Sequence, residues 1–354
     1  MKIIYKSILK ELIFIFLICL AFLNFILMME KVLRLSRLLS GTGISLIDMI
    51  KIFLYIQPQL LILTIPMAFL LATLLTFGRL NHDSEIVILR TTGMSFRDIS
   101  MPVFVLGILC FLFNFTVSLY LGPKSSQKLR DEITKIITVR TPLAIEEGTF
   151  NTSFKDIVFI IKEKLSSDKF RGVFLYDGRN KAEPKVMLAR EGKISISEGL
   201  QTNFFLKDGY IHIAKGEKIT EIFFEKYNFV MRLETELPSR KNSELSFEEL
   251  ISEIRKQVPQ ISSLQLELHR RLSLPFLCIV LIFLGPPLSM IAGKSGRLGG
   301  LSIGLGVFTA YYILLIYGEN LVRAGKLPHY AGAWGPTIIL ILCSIWLFRR
   351  ESKR

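Results

Sequence analysis

Residues 78–98 read GRLNHDSEIVILRTTGMSFRD, a peptide with three arginines and four acidic or histidine side chains. The runs on either side, 52–77 and 99–121, contain no Asp, Glu, Lys or Arg. At about 1.5 Å per residue, each run crosses roughly 30 Å of hydrocarbon as a helix. Four more runs pass the same test: 12–29, 272–292, 298–318 and 331–348. Six uncharged runs in a chain that is 51% hydrophobic, with 27 Phe, imply a polytopic α-helical membrane protein rather than a soluble one. The first run follows Lys2, Lys6 and Lys10, but it exceeds a signal-peptide core and Met28–Lys31 offers no small-residue cleavage site. It reads as a retained span.

The spans fall into two groups of three around a polar block, a 3+3 layout. Expected divisions are 1–121, with the island helix at about 83–93, then 122–271, then 272–354. Lys and Arg in the short loops set the orientation. With the N-terminus in the cytoplasm, twelve lie inside and six outside, so both termini and the island are expected to be cytoplasmic and the polar block periplasmic. The net charge of +14 is not a nucleic-acid signal, because residues 124–271 carry only +4 of it. The rest flanks the spans, where anionic headgroups account for it.

Within the polar block, short β-rich runs are expected at 156–163, 171–177, 185–190, 193–197, 203–207, 210–215 and 219–233. Asp177-Gly178, Glu191-Gly192, Glu198-Gly199, Asp208-Gly209 and Lys215-Gly216 read as punctuation between them. Seven short antiparallel strands suggest a sandwich or jelly roll. Ser246 with Glu249 predicts a capping box for a helix to about Gln257, and a short helix from about Ser262 leads into span four.

No phosphate-cradling GxxxxGK[ST] loop is present; Gly293-Lys294-Ser295 lacks the upstream glycine, so the chain is not expected to be an ATPase or any other enzyme. The four cysteines all lie in spans, and the four histidines are scattered, so no disulfide framework, metal site or cofactor is expected. Lys31, Arg34 and Arg37, three residues apart beyond span one, would form a slowly turning cationic stripe on a continued helix. Headgroup anchoring and a contact for phosphates on an amphiphile remain open readings of it. Pro58 and Pro66 in span two, and Pro275, Pro286 and Pro287 in span four, free backbone carbonyls that neighbours must satisfy. Gly296, Gly300 and Gly304 make a small-residue stripe that permits close approach of a partner helix.

In the island, Asp83 is expected to cap a short helix with Glu85 in its first turn and Arg90 in its last, ended by Gly93. Ser95 and Asp98 cap the next helix. Ile86–Leu89 is too short to span and too apolar to leave in water, which points to a cytoplasmic protein or headgroups as its cover.

Several of these stretches, in this order, resemble the LptF and LptG permeases of the lipopolysaccharide export machine. They are Ile65-Pro66-Met67 through Gly78-Arg79-Leu80, Asp83-Ser84-Glu85-Ile86, Gly93-Met94-Ser95, Gly122-Pro123-Lys124-Ser125-Ser126 and Glu267-Leu268-His269-Arg270-Arg271. Pro287-Leu288-Ser289 and Gly296-Arg297 look more like the LptF side of the family. The resemblance implies a half-transporter that pairs with the paralogous permease, is driven by a dimer of the ATPase LptB, and works with LptC. It also implies a periplasmic β-jelly roll, Glu85 in a coupling helix that docks into LptB, and Lys31 and Arg34 meeting lipopolysaccharide phosphates. A permease for another lipid or lipoprotein, or a membrane scaffold with an outer binding domain, is the alternative that the residues themselves leave open.

Overall fold

The computed structural model describes residues 2–38, 46–140, 147–154, 156–166, 168–180, 183–197, 201–215, 218–232, 240–256, 261–292 and 296–352. The expected punctuation at Glu198-Gly199 lies outside them, as does Gly216. Six helices are long and apolar enough to cross a membrane: Ile3–Leu33, Ile47–His82, Met101–Ile136, Ile261–Ile291, Gly299–Arg323 and His329–Glu351. Between the third and fourth sits an antiparallel β domain, so the expected architecture of six spans with an inserted β domain is the observed one. The chain forms two compact units, one of Met1–Lys31, Phe53–Lys128 and Lys241–Arg354, the other of Val32–Ile52 and Leu129–Arg240.

The helices of the first unit are α1 (Lys2–Leu38), α2 (Leu46–His82), α3 (Glu85–Thr91), α4 (Phe96–Ile99), α5 (Met101–Thr116), α6 (Gly122–Arg140), α7 (Phe247–Arg255), α8 (Ile261–Ala292), α9 (Gly296–Arg323) and α10 (His329–Ser352). Parts of α1, α2 and α6 continue into the second unit. The most apolar windows of α2 and α8 are each 72% buried, against 11% for α1, so these two form the centre of the bundle. Ile65, Phe69, Leu74 and Phe77 of α2 and Leu277, Cys278 and Leu281 of α8 share one core. Helix α8 is continuous from Ile261, so the helix expected from about Ser262 forms its first turns, and α7 begins at the Ser246/Glu249 capping box.

The prolines in these two central helices explain the third span. Pro66 has no N–H to donate to the carbonyl of Ile62, four residues earlier, and Pro275 leaves the carbonyl of Arg271 in the same position. Asn114 Nδ2 donates to the Ile62 carbonyl at 3.2 Å and Ser118 Oγ donates to the Arg271 carbonyl at 2.9 Å. The two side chains are four residues apart, hence on one face of the third span. The helix switches to a π turn over Val117–Leu121, closed by Gly122 N–H donating to the Val117 carbonyl. Such a turn commonly marks a site under functional constraint.

The second unit holds one sheet of six antiparallel strands in chain order: β1 (Asn151–Phe154), β2 (Ile157–Lys164), β3 (Lys169–Asp177), β4 (Lys185–Ser197), β5 (Gln201–Lys215) and β6 (Lys218–Arg232). Sheet neighbours are chain neighbours, a meander without a crossover among the described strands. Phe159 on β2 and Phe204 on β5 stack edge to face with ring centroids 5.2 Å apart. Two strands separate them, which in a flat sheet would hold them roughly 14 Å apart at about 4.8 Å per strand. The sheet therefore folds over its own buried face and encloses a core.

Two expected turns are in fact bends within long strands. Glu191-Gly192 lies inside β4 and Asp208-Gly209 inside β5, which merges four expected strands into two. The four ladders from β2 to β6 each skip one pair along a single line: Lys162 with Gly172, Gly172 with Arg190, Arg190 with Asp208, and Asp208 with Glu225. Gly172 (φ 65°) and Asp208 (φ 52°) are left-handed on that line. Buried residues change parity across it, from Met187 and Ala189 to Ile194 in β4, and from Leu206 to Ile211 in β5. Strands β2 to β6 slip together, so their pairing register survives while the sheet bends. At one end of the fold, Arg179 donates to both carboxylate oxygens of Asp177, at 2.8 and 2.7 Å, and sits over the Phe229 ring. Burial acts to raise the Asp177 carboxyl, but the Arg179 contacts outweigh it and hold the group below its usual range.

The proline-freed carbonyls predict a specific coupling. Asn114→Val should cost about 1 kcal/mol of stability, the typical worth of an interhelical polar contact in a membrane. The same substitution in a Pro66→Ala background should cost much less, because residue 66 then donates to Ile62 itself. Thermal unfolding in detergent of the four variants of the cycle measures this, and equal costs in both backgrounds would refute it.

Candidate functional sites at the two ends of the helical bundle

At one end, the last turn of α2 supplies Arg79. Its Nε and Nη2 donate to the two carboxylate oxygens of Glu11 on α1 at 2.6 and 2.7 Å, a bidentate pair. Its Nη1 donates to Glu85 at 2.7 Å and to Asp83 at 3.2 Å. One guanidinium thus ties α1, α2 and α3 together, and three carboxylates around one cation leave a local surplus of negative charge. Glu85 and Asp83 remain 44% exposed at their side chains. That surplus faces solvent and suits a cationic partner.

Helix α3 differs from expectation at its start. Asp83 does not cap it, because its carboxylate is engaged by Arg79; the N-cap is Ser84, left-handed at φ 58° and without a side-chain cap bond. Arg90 is in the last turn as expected, but it turns inward. Its guanidinium lies 5.2 Å from the Phe96 ring centroid, and Nε and Nη2 are buried without a hydrogen-bond partner among the described residues. Gly93 (φ 91°) ends the helix and donates to the Arg90 carbonyl. Ser95 and Asp98 form the expected capping box, and the hydroxyl and backbone N–H of Ser95 hold the Asp98 carboxyl below its usual range. Ile86 is fully buried in the bundle core, whereas Val87 and Ile88 are 55% and 59% exposed. The helix therefore presents two apolar side chains beside an acidic cluster.

At the other end, a pocket of about 230 Å³ is lined by Lys31, Gln59, Ser118, Ser126, Arg270 and Arg271, with Glu267 beside them. Arg271 is only 4% exposed; it donates to Glu267 at 3.1 Å and to the Asn242 carbonyl at 3.1 Å, while Nη1 is buried with no partner among the described residues. Arg270 lies 3.6 Å from Glu267 and 3.4 Å from Glu319. Gln59 donates to Ser126 at 2.7 Å, which in turn donates to the Gly122 carbonyl. The π turn brings Ser118 to this wall, so the resemblance motifs at 122–126 and 267–271 meet here. Three cations against one lining carboxylate make the pocket suited to an anion. Arg34 and Arg37 continue on α1, and their side chains lie outside the described residues.

The glycine stripe finds its partner helix within the chain. A Cβ on Gly300 would lie 3.3 Å from the Leu74 carbonyl oxygen, and one on Gly304 would lie 2.7 Å from Leu71 Cδ2, both on α2. Gly296 opens α9, and its surroundings lie outside the described residues. Two histidines that looked scattered do meet: His269 and His329 stack with centroids 5.1 Å apart, and Trp334 Nε1 donates to His269 Nδ1 at 3.3 Å. Among the described residues no group of three metal-ligating side chains exists. Sequence reasoning missed Glu11 and used Arg79 as a topology charge and as part of the resemblance motif, without a partner. The available signal was a single acid at the edge of span one, on the same predicted side as the island.

Comparison with known proteins shows the family of the chain as a whole. The family model described as lipopolysaccharide export system permease LptF/LptG matches residues 6–350. Relatives include the lipopolysaccharide export system permease protein LptG of Haemophilus influenzae, 24% identical over 81% of both chains. The LptF protein of Escherichia coli is 21% identical over 82% of this chain and 79% of its own length. The uncharacterized protein RP871 of Rickettsia prowazekii is 26% identical over 60% of this chain, which spans about three-fifths of that relative. Matched by its family model over nearly its full length, the chain belongs to the LptF/LptG family of lipopolysaccharide export system permeases.

Proposed function

We propose that this chain is one permease half of an ABC-type exporter that extracts lipopolysaccharide from the inner membrane and passes it to a periplasmic bridge. In this reading both termini and α3 are cytoplasmic and the β domain is periplasmic, with residues 1–121, 122–271 and 272–354 as its functional blocks. The chain pairs with its paralogue, LptG if this is LptF; a dimer of the ATPase LptB supplies the energy; LptC joins the periplasmic path. The observation that carries the reading is the acidic cluster of Glu11, Asp83 and Glu85 on Arg79 beside exposed Val87 and Ile88. It has the composition of a docking element: apolar side chains for contact area and surplus charge for orientation.

The thinly buried α1 supports a partner as well. Phe14, Leu17, Ile18, Phe22 and Phe25 are all more than half exposed on it, a face for another span or for lipid. Lys31 with Arg34 and Arg37 on the same helix, together with Arg270 and Arg271, would meet the phosphates of the amphiphile, while its acyl chains lie among the apolar spans. ATP-driven closure of the motor would push α3, narrow the space between the two permease halves and expel the amphiphile towards the β domains. Nothing in this scheme asks the chain for catalysis, a cofactor, a metal or nucleic acid.

Glu85→Ala should lower export by about tenfold in proteoliposomes that hold the copurified ATPase, with ATP hydrolysis persisting, as expected for one lost charge-assisted contact. A Glu85→Ala chain that assembles and exports normally would overturn the docking role. Arg79→Gln, which keeps Glu85 but breaks the clamp, should raise amide exchange over residues 83–93 in the full chain; unchanged exchange would remove Arg79 from the coupling element. Lys31→Glu with Arg34→Glu should lower photocrosslinking to lipopolysaccharide severalfold, and undiminished crosslinking would return both to headgroup anchoring.

A further inference from the structure

A second cavity lies on the side of the bundle, at the level of α3 and away from the Lys31 pocket. It measures about 580 Å³ and runs between α4 and α5, α8 and the end of α10. Its wall is apolar, with Met101, Phe104, Ile282, Phe283, Ile345 and Phe348, and only Arg97, Ser100 and Arg349 are polar. Phe104 and Phe348 each pack edge-on against Phe283, at 5.8 and 5.6 Å between centroids, which makes a stacked aromatic floor. Met101 and Ile345 are 52% and 44% exposed, so the groove opens sideways at the surface of the bundle. Volumes of roughly 300–1,000 Å³ are typical of sites that hold a small molecule or a chain.

Both arginines stand at the mouth of this groove. Arg97 precedes Met101 by four residues, about 6 Å along a helix, and Arg349 is in the last turn of α10. Neither has a hydrogen-bond or ion-pair partner among the described residues. Asp98, beside Arg97, is already engaged by the Ser95 hydroxyl and backbone N–H at 2.5 and 3.1 Å. Among the described residues no carboxylate lines the cavity. Trp346, exposed at the same turn and carrying Arg350 over its ring at 5.5 Å, has the character of a residue at the headgroup level. Two guanidinium groups that are unpaired among the described residues, above an apolar slot, match one kind of occupant: a phosphate ester with an attached acyl chain.

We propose that this groove binds an anionic glycerophospholipid of the adjacent leaflet, its phosphate between Arg97 and Arg349 and one acyl chain along Phe104, Phe283 and Phe348. The charge pattern favours a lipid over a protein helix, because a helix laid in the slot would leave both cations unpaired unless it carried acids at the same depth. This site is separate from the proposed path of the exported amphiphile, so it stands whether or not that path is right. Its consequence is structural coupling: a lipid seated here joins the start of the third span to the ends of α8 and α10.

The test uses the full chain in phosphatidylcholine nanodiscs doped with photoreactive phosphatidylglycerol or, in parallel, photoreactive phosphatidylcholine, with crosslinks mapped by mass spectrometry. Phosphatidylglycerol should label peptides containing Met101, Phe104, Ile345 or Phe348 about 25-fold more than phosphatidylcholine, from roughly fivefold for each of two arginines near an anionic lipid. Arg97→Gln with Arg349→Gln should bring the two probes level. The Arg97→Lys, Arg349→Lys chain should keep most of the preference, which separates loss of charge from loss of fold. Equal labelling of the wild-type chain by both probes would overturn the proposal, as would labelling of these peptides by neither. Competition by lipopolysaccharide at these peptides would also overturn the assignment to a glycerophospholipid.

Discussion

In hydrocarbon a backbone carbonyl has no water to turn to, and this bundle contains central helices interrupted by proline. The carbonyls freed by Pro66 and Pro275 must be met by side chains, and the third span meets both, with Asn114 on Ile62 and Ser118 on Arg271. That requirement fixes which face of the third span looks inward and at what height it sits. The π turn at Val117–Leu121 then follows as the adjustment that keeps Ser118 in reach before Gly122-Pro123. Close approach of α9 through Gly300 and Gly304 completes the packing around α2.

Two polar clusters stand at opposite ends of the same pair of helices. Glu11 and Lys31 are twenty residues apart on α1, and Arg79 and Gln59 are twenty apart on α2, so each helix carries a clamp residue at one end and a pocket residue at the other, roughly 30 Å away. In the proposed cycle, a force applied to α3 passes through Arg79 into both helices at once. Rigid helices transmit displacement without storing it, so the cation-lined pocket is where the motion would be felt. The buried, partly unmatched Arg271 sits in that pocket wall, held by Glu267 and the Asn242 carbonyl but with one nitrogen still free.

The β domain shows how local signals can be read correctly and interpreted wrongly. Glu191-Gly192 and Asp208-Gly209 are genuine irregularities, but a turn needs the chain to reverse, and here it only bends. What decides between the two is whether the neighbouring strand bends at the same row, a fact that lives in the pairing and not in any one segment. Asp83 is a similar case. Its sequence position suits a cap, yet an arginine one turn earlier competes for the same carboxylate and wins through charge.

The sequence by itself determined the six spans, the inserted antiparallel domain, the absence of a nucleotide-binding loop and the short helix of the island, because hydropathy, charge and capping are local properties. It also determined that prolines would free carbonyls. Only the tertiary structure decided who satisfies them, that Glu11 and Arg79 join Glu85, that Lys31 meets Arg270 and Arg271 across more than two hundred residues, and that the glycine stripe packs on α2. Each of these depends on which helix faces lie against each other, and in a bundle of six apolar helices the hydrophobic pattern runs almost all the way round. Face choice then rests on a few polar atoms and small residues, whose partners become visible only once the helices are placed side by side.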